Sequence, residues 1–334
     1  MKMRRTTYLA VFLAAILTAC TRSVNLPNPE IAFRTMDTDF RGIPTRSVLT
    51  ATDIETKKTA VTLAAYEGGT LAAVDHFTTD LDAMTLTLEP DRTYTVYALV
   101  NMGDMTSSIP LSESDLSSLT YSIPSYTEGS KSIAVRGIPM AGKLVYSGKG
   151  TVIPVERLLA KVTARLSCEW DGAVIRSVRV CNLNRVLRPF GDATWEEDWD
   201  EQEFQQGTGT ASGTFVFYVP ENCQGTIGGI KTSLDKSPDR NERVRARKDR
   251  LTYLETVADG AGQYVGSITY RSYLGGDAVS DFDIRRNAHY RWTIRFLTDG
   301  LQYNDWKHDN GLTDTQSDLH IDDGWDDGGQ TDLN

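Results

Sequence analysis

Cysteine is scarce in this chain: the 334 residues hold four, Cys20, Cys168, Cys181 and Cys223. None forms a C-x-x-C pair, which excludes the common zinc and thiol-redox motifs. An exported chain has the option of pairing two of the last three. Cys168 and Cys181 flank a predicted turn at Asp171-Gly172 at unequal distances, so they do not face each other across a regular hairpin. Three buried free thiols are therefore expected. Histidine is equally rare, at His76, His289, His308 and His320, and none lies in H-E-x-x-H. His320 with Asp322 and Asp323 lacks the alternating oxygen ligands and glycine turn of a calcium loop. There is no G-x-S-x-G and no glycine-rich phosphate loop. The sequence thus names no nucleophile, acid–base pair, metal site or cofactor, and an enzyme is not expected. Positive charge is in deficit, with 35 Lys and Arg against 45 Asp and Glu and a net charge of -10. That balance argues against nucleic acid as a partner. The basic cluster Lys231–Arg250 is interrupted by Asp235, Asp239, Glu242 and Asp249 and reads as a solvated loop.

Also missing is any sustained 3.6-residue apolar period with caps. Strand grammar is present instead. Met84–Leu88 alternates apolar and polar side chains, and Thr93–Val100 is rich in Tyr, Val and Thr. Thr151–Cys168 alternates too, with Val162, Ala164, Leu166 and Cys168 on one face and Lys161, Thr163, Arg165 and Ser167 on the other. Further strands are predicted at Val174–Asn182, Gly213–Val219, Leu251–Val257, Tyr264–Leu274 and His289–Phe296. Many short strands between Gly, Pro, Asn and Asp turns predict an all-β chain of β-sandwich type. The division expected is an N-terminal domain over 47–150 and a C-terminal domain over 151–300, followed by an acidic tail over 301–334 that is expected to be mobile from His308 onward. In that tail Leu319 and Ile321 give a brief alternation before Asp322-Asp323-Gly324.

The first residues form a three-part export signal. Lys2, Arg4 and Arg5 precede the apolar run Tyr8–Leu17, and small residues then lead to Cys20. The run is too short to span a bilayer, which takes about 20 residues. Leu17-Thr18-Ala19-Cys20 resembles the lipobox of bacterial lipoproteins. That resemblance implies a signal peptide over 1–19 and acylation of Cys20 as the membrane anchor. Each buried lipid methylene contributes ~0.8 kcal/mol, so several acyl chains hold a protein almost permanently. Residues 20–46 form a polar, Pro-containing leader with a candidate short strand near Ile31-Ala32-Phe33 and exposed arginines at Arg34, Arg41 and Arg46.

Several segments in order resemble the Bacteroidales fimbrillin family, the lipoprotein-derived subunits of type V pili. They are Tyr94–Asp104, Ile138–Gly142, Glu156–Val162, Tyr218–Gly225 and Asp281–Tyr290. The resemblance implies two tandem transthyretin-like β-sandwich domains. It also implies that an arginine-directed protease removes the first strand, and that a C-terminal strand from another subunit fills the groove. On that basis the candidate cut follows Arg46, with Arg41 and Arg34 as alternatives, and the tail over 301–334 is the candidate donor segment. The implied partners are other fimbrial subunits, the outer membrane through Cys20, and a host or bacterial surface receptor. The competing expectation is a monomeric surface lipoprotein that binds carbohydrate. In it Trp195, Trp199, Tyr303, Trp306 and Trp325 would stack on sugar rings, although core or interface packing is their commoner role. Glu196-Glu197-Asp198 sits among these aromatics, but adjacent carboxylates on one loop rarely flank a scissile bond.

Overall fold

The computed structural model describes residues 30–37, 53–124, 133–193, 198–199, 203–231, 233–260, 266–296, 307–309 and 315–322. Strands dominate them. The first half contains β1 (Glu30–Asp37), β2 (Val61–Glu67), β3 (Thr70–Phe77), β4 (Met84–Thr87), β5 (Tyr94–Val100), β6 (Tyr121–Ser122), β7 (Met140–Tyr146) and β8 (Val152–Arg157). The second half continues with β9 (Leu159–Cys168), β10 (Ala173–Cys181), β11 (Leu183–Asn184), β12 (Val186–Leu187), β13 (Asp198–Trp199) and β14 (Glu203–Gln206). Then come β15 (Ser212–Pro220), β16 (Asn222–Thr226), β17 (Tyr253–Gly260), β18 (Gly266–Tyr273), β19 (Asp281–Ile284), β20 (His289–Phe296), β21 (Lys307–Asp309) and β22 (Thr315–Asp322). Among the described residues helix is limited to short turns such as Asp53–Thr56 and Ile133–Arg136. The fold is all-β, as the alternation predicts.

The first sheet runs β3-β2-β5-β7-β8-β1-β4. All its pairs are antiparallel except β1 with β8. It curls over a core of its own, in which Phe33, Val61, Leu63, Met84, Leu86, Val96, Met140, Ile153 and Val155 are buried. Two residues of the motifs quoted above have structural work here. Asn101 takes a left-handed φ of 63° and is buried. Its amide donates to the carbonyls of Lys57 and Ile138, both at 2.8 Å, and its oxygen accepts from the amide of Thr59, also at 2.8 Å. Gly142 faces β8 so closely that a Cβ would overlap the carbonyl of Pro154.

In the second half a five-stranded sheet, β14-β10-β17-β18-β21, faces a four-stranded one, β15-β9-β20-β22. Val178, Val180, Leu254, Ile268 and Tyr270 of the first meet Val162, Ala164, Phe217, Trp292 and Phe296 of the second. Tyr270 and Phe296 stack at 4.0 Å across the layer. The burial of β9 follows the predicted alternation apart from Lys161, which is also buried.

The chain changes sheets at Leu158, not at residue 150. Val152–Arg157 pairs with β7 and β1 in the first sheet, and Leu159–Cys168 pairs with β15 and β20 in the second half. One alternating stretch thus serves two sheets. The halves also share a core, because a single apolar cluster contains Tyr66, Tyr97 and Ile123 together with Val162, Phe217 and Phe296. β6 pairs with β12 across the junction, and Tyr97 meets Phe190 edge-on at 4.8 Å. In the tail, β21 lies parallel to β18, and β22 extends along β20 as an edge strand. These pairings replace the expectation of a mobile tail for 308–309 and 315–322.

Candidate strand-exchange site

The leader strand predicted near Ile31-Ala32-Phe33 is β1. Its alternation decides its orientation: Ile31, Phe33 and Thr35 are buried, while Ala32, Arg34 and Met36 are exposed. Phe33 is 1% exposed and meets Tyr146 edge-on at 5.6 Å. Burying side chains of this size stabilises by about 1.5–3 kcal/mol each. β1 is held on two sides. Glu30–Phe33 pairs antiparallel with Thr87–Met84 of β4, and Arg34–Asp37 pairs parallel with Val152–Val155 of β8. Its removal would open a groove between β4 and β8, expose the pockets of Ile31 and Phe33, and leave two rows of backbone groups unpaired.

The far end of β1 is held by charge. Lys58 donates to the carbonyl of Thr35 at 3.0 Å and lies 3.0 Å from the Asp37 carboxylate. Arg157 lies 3.5 Å from the other Asp37 oxygen and donates to the backbone carbonyl of Glu55. The Glu55 carboxylate, 2% exposed, sits 2.8 Å from the ammonium of Lys161 and accepts from the Tyr218 hydroxyl at 2.9 Å. A line of polar contacts therefore runs from the leader strand to β9 and β15. Sequence reasoning missed Asp37, Glu55 and Lys58. Arg157 and Lys161 stood in a quoted motif, but nothing in the spacing says that the polar side of that strand is covered.

The other candidates are dispersed. Cys20, Arg41, Arg46, Trp195, Tyr303, Trp306 and Trp325 lie outside the described residues. Arg34 lies within β1, where its amide donates to the carbonyl of Thr151 at 3.0 Å. Trp199 belongs to β13, paired with Leu183. Cys168 and Cys181 are free and buried, whereas Cys223, on β16 beside the short β19, is free but exposed. Burial pushes the Cys168 and Cys181 thiols up to about 12 and about 11, which keeps them protonated. His76 and His289 bond to Thr62 and Thr163 at 3.0 and 2.9 Å. Among the described residues no group of three His, Cys, Asp or Glu side chains converges as metal ligands would. No helix among them is long and apolar enough to cross a membrane.

The family profile "Domain of unknown function (DUF4906)" matches residues 217–294, which run from β15 to β20. No curated protein sequence matches the chain. Among solved structures, a Parabacteroides distasonis protein named for cell adhesion superposes with a TM-score of 0.57 at 14% identity, covering 87% of this chain and 95% of its own. A fimbrilin from Porphyromonas gingivalis gives 0.51 at 12% identity, covering 88% and 97%. The fold is fimbrillin-like. The tip fimbrial protein Mfa3 of Porphyromonas gingivalis, with a C-terminal truncation, gives 0.50 at 13% identity over 80% of this chain and 95% of its own. The fimbrillin-like fold thus extends over both halves, well beyond the stretch matched by the profile. It agrees with the resemblance carried by the motifs.

Proposed function

We propose that this chain is a structural subunit of a type V fimbria, a shaft, tip or minor component that serves cell adhesion at the bacterial surface. It is made as a lipoprotein on Cys20 and assembled by exchange of the leader strand for a strand donated by another subunit. The observation that carries this reading is β1 itself. It is a strand from the leader, seated between β4 and β8 by two side chains, and it is followed by a segment that holds Arg41 and Arg46. Cleavage after Arg46 would leave β1 attached only by contacts that another strand can reproduce. Arg34 is a poorer cut site, since its backbone is paired within the sheet and a protease needs an accessible, extended segment. The reading is non-enzymatic, and its partners are other subunits of the fibre.

The test is the N-terminus of the protein recovered from its native surface, determined by mass spectrometry. A start at Ser47 is expected, together with multimers that resist detergent until heated. Replacing Arg34, Arg41 and Arg46 together should leave an uncleaved lipoprotein. If the surface form begins at acylated Cys20 with the leader intact, strand exchange is ruled out for this chain.

A further inference from the structure

The C-terminal end of β1 is met by two cations of the body. Both contacts of the Lys58 ammonium described above, the carbonyl of Thr35 and the carboxylate of Asp37, lie on β1. Arg157 approaches the same carboxylate from β8. The side chains of Lys58 and Arg157 are 22% and 8% exposed, and that of Asp37 is 17% exposed. A strand that leaves this slot carries its carboxylate away while both cations stay behind. A partly buried cation that loses its counter-charge, as Lys58 then does, favours an anion over a neutral group.

We propose that Lys58 and Arg157 form a carboxylate-reading end of the β1 groove. The strand that takes the place of β1 is Gln316–Asp323 of a second copy of this chain, with Asp323 where Asp37 now lies. This rests on the strand-exchange reading above and adds to it a register and the charge that fixes it. The spacing supports it. Phe33, Thr35 and Asp37 point inward at successive alternate positions, and Leu319, Ile321 and Asp323 repeat that spacing. Asp318, His320 and Asp322 then fall at the outward positions of Ala32, Arg34 and Met36, and Ser317 falls at Ile31. A shift of one residue would place Asp318 in the Phe33 pocket, and the alternative window 298–305 would place Asp299 in that of Ile31. Ile321 would also replace Thr35, whose buried hydroxyl has no hydrogen-bond partner among the described residues. Residues 316–322 of that segment now pair with β20 at a sheet edge, the position from which a strand peels away with fewest lost bonds.

To test this, the full chain is cut with an arginine-specific protease and freed of its leader peptide in mild denaturant. It is then titrated with a fluorescent peptide of residues 314–325, with uncut chain as control. The peptide should bind the cut chain only. Asp323→Asn in the peptide should weaken binding at least tenfold (about 1.4 kcal/mol), whereas Asp318→Asn, an equal change of charge, should cost less than twofold. A Lys58→Met chain should discriminate less between the wild-type and Asp323→Asn peptides. Because the peptide variants leave the protein unaltered, misfolding cannot mimic their effect. If no peptide binds, Gln316–Asp323 is not the donor and this proposal is overturned, whereas strand exchange itself is overturned by a surface form that begins at acylated Cys20. If the wild-type and Asp323→Asn peptides bind equally, exchange stands and the carboxylate rule is overturned. Equal weakening by Asp318→Asn and Asp323→Asn would reduce it to diffuse charge attraction and overturn it as well.

Discussion

Lys236 keeps its ammonium inside the protein, where it donates to the carbonyls of Asp277 and Asp281 at 2.5 and 2.7 Å and lies 4.7 Å from the Phe282 ring. Asp277 in turn accepts from the amides of Val279, Ser280 and Asp281, so one lysine and one aspartate close this loop. Burial pushes the lysine down to about 8 from its ordinary 10.5, against the pull of Asp277 and Asp281. Between those values the folded protein has released a proton that the unfolded chain still binds. Stability contributed at this site therefore rises with pH across about 8 to 10.5, and below about 8 the desolvation cost is constant. At 1.36 kcal/mol per pH unit the rise is of order 3 kcal/mol. Lys236→Met should remove that slope. Urea unfolding of both proteins from pH 7 to 10.5 measures it, and parallel stability curves would contradict the assignment. The lysine appears in the sequence as one charge in a solvated basic loop, because nothing local shows that the 277–281 segment closes over it.

Among the elements, β1 shows how much a short alternation discloses and where it stops. Ile31 and Phe33 were legible as a strand, since apolar residues two apart in a polar leader have few other uses. The partners of that strand were not, because pairing with β4 and β8 joins residues more than fifty positions distant. The strongly patterned strands fared similarly. His289–Phe296 has the boundaries read from alternation alone, and Thr93–Val100 differs by one residue. By contrast Thr70–Phe77 went unread, since Ala72, Ala73 and Asp75 blur its period. β1 is also imperfect as a filler of its own slot. Thr35 is 6% exposed, and its hydroxyl lacks a hydrogen bond among the described residues. An unsatisfied buried polar group costs about 1–3 kcal/mol. Thr35→Val, nearly equal in volume, should raise the stability of the uncut chain by about 1 kcal/mol in denaturant unfolding. After cleavage it should slow the conversion to multimers, followed on unheated gels. Unchanged stability would mean that the hydroxyl is satisfied in solution and that the leader carries no such weakness.

At the scale of the whole molecule, the division into two halves does not divide the energetics. One apolar cluster runs from Tyr66 to Phe296, and the buried Glu55 joins the turn before β2 to Lys161 of β9 and Tyr218 of β15. Alternation within Thr151–Cys168 could not disclose this, because Lys161 keeps its place on the polar side of the strand while its partner Glu55 lies more than a hundred residues away in the first half. A shared core predicts one cooperative unfolding transition in calorimetry, where two tandem but independent sandwiches would give two. Glu55→Ala should therefore act on both halves. It removes the carboxylate from a lysine that is 5% exposed, at an expected cost of about 3–5 kcal/mol. It should also split the single transition into two, with the half that contains β1 melting first. Adding Lys161→Met should restore most of the loss, because the apolar pair no longer leaves a charge inside the junction. If Glu55→Ala lowers the melting temperature by less than about 2 °C, or if the double variant is no more stable than Glu55→Ala, the ion pair does not couple the halves and the apolar cluster alone must hold them together.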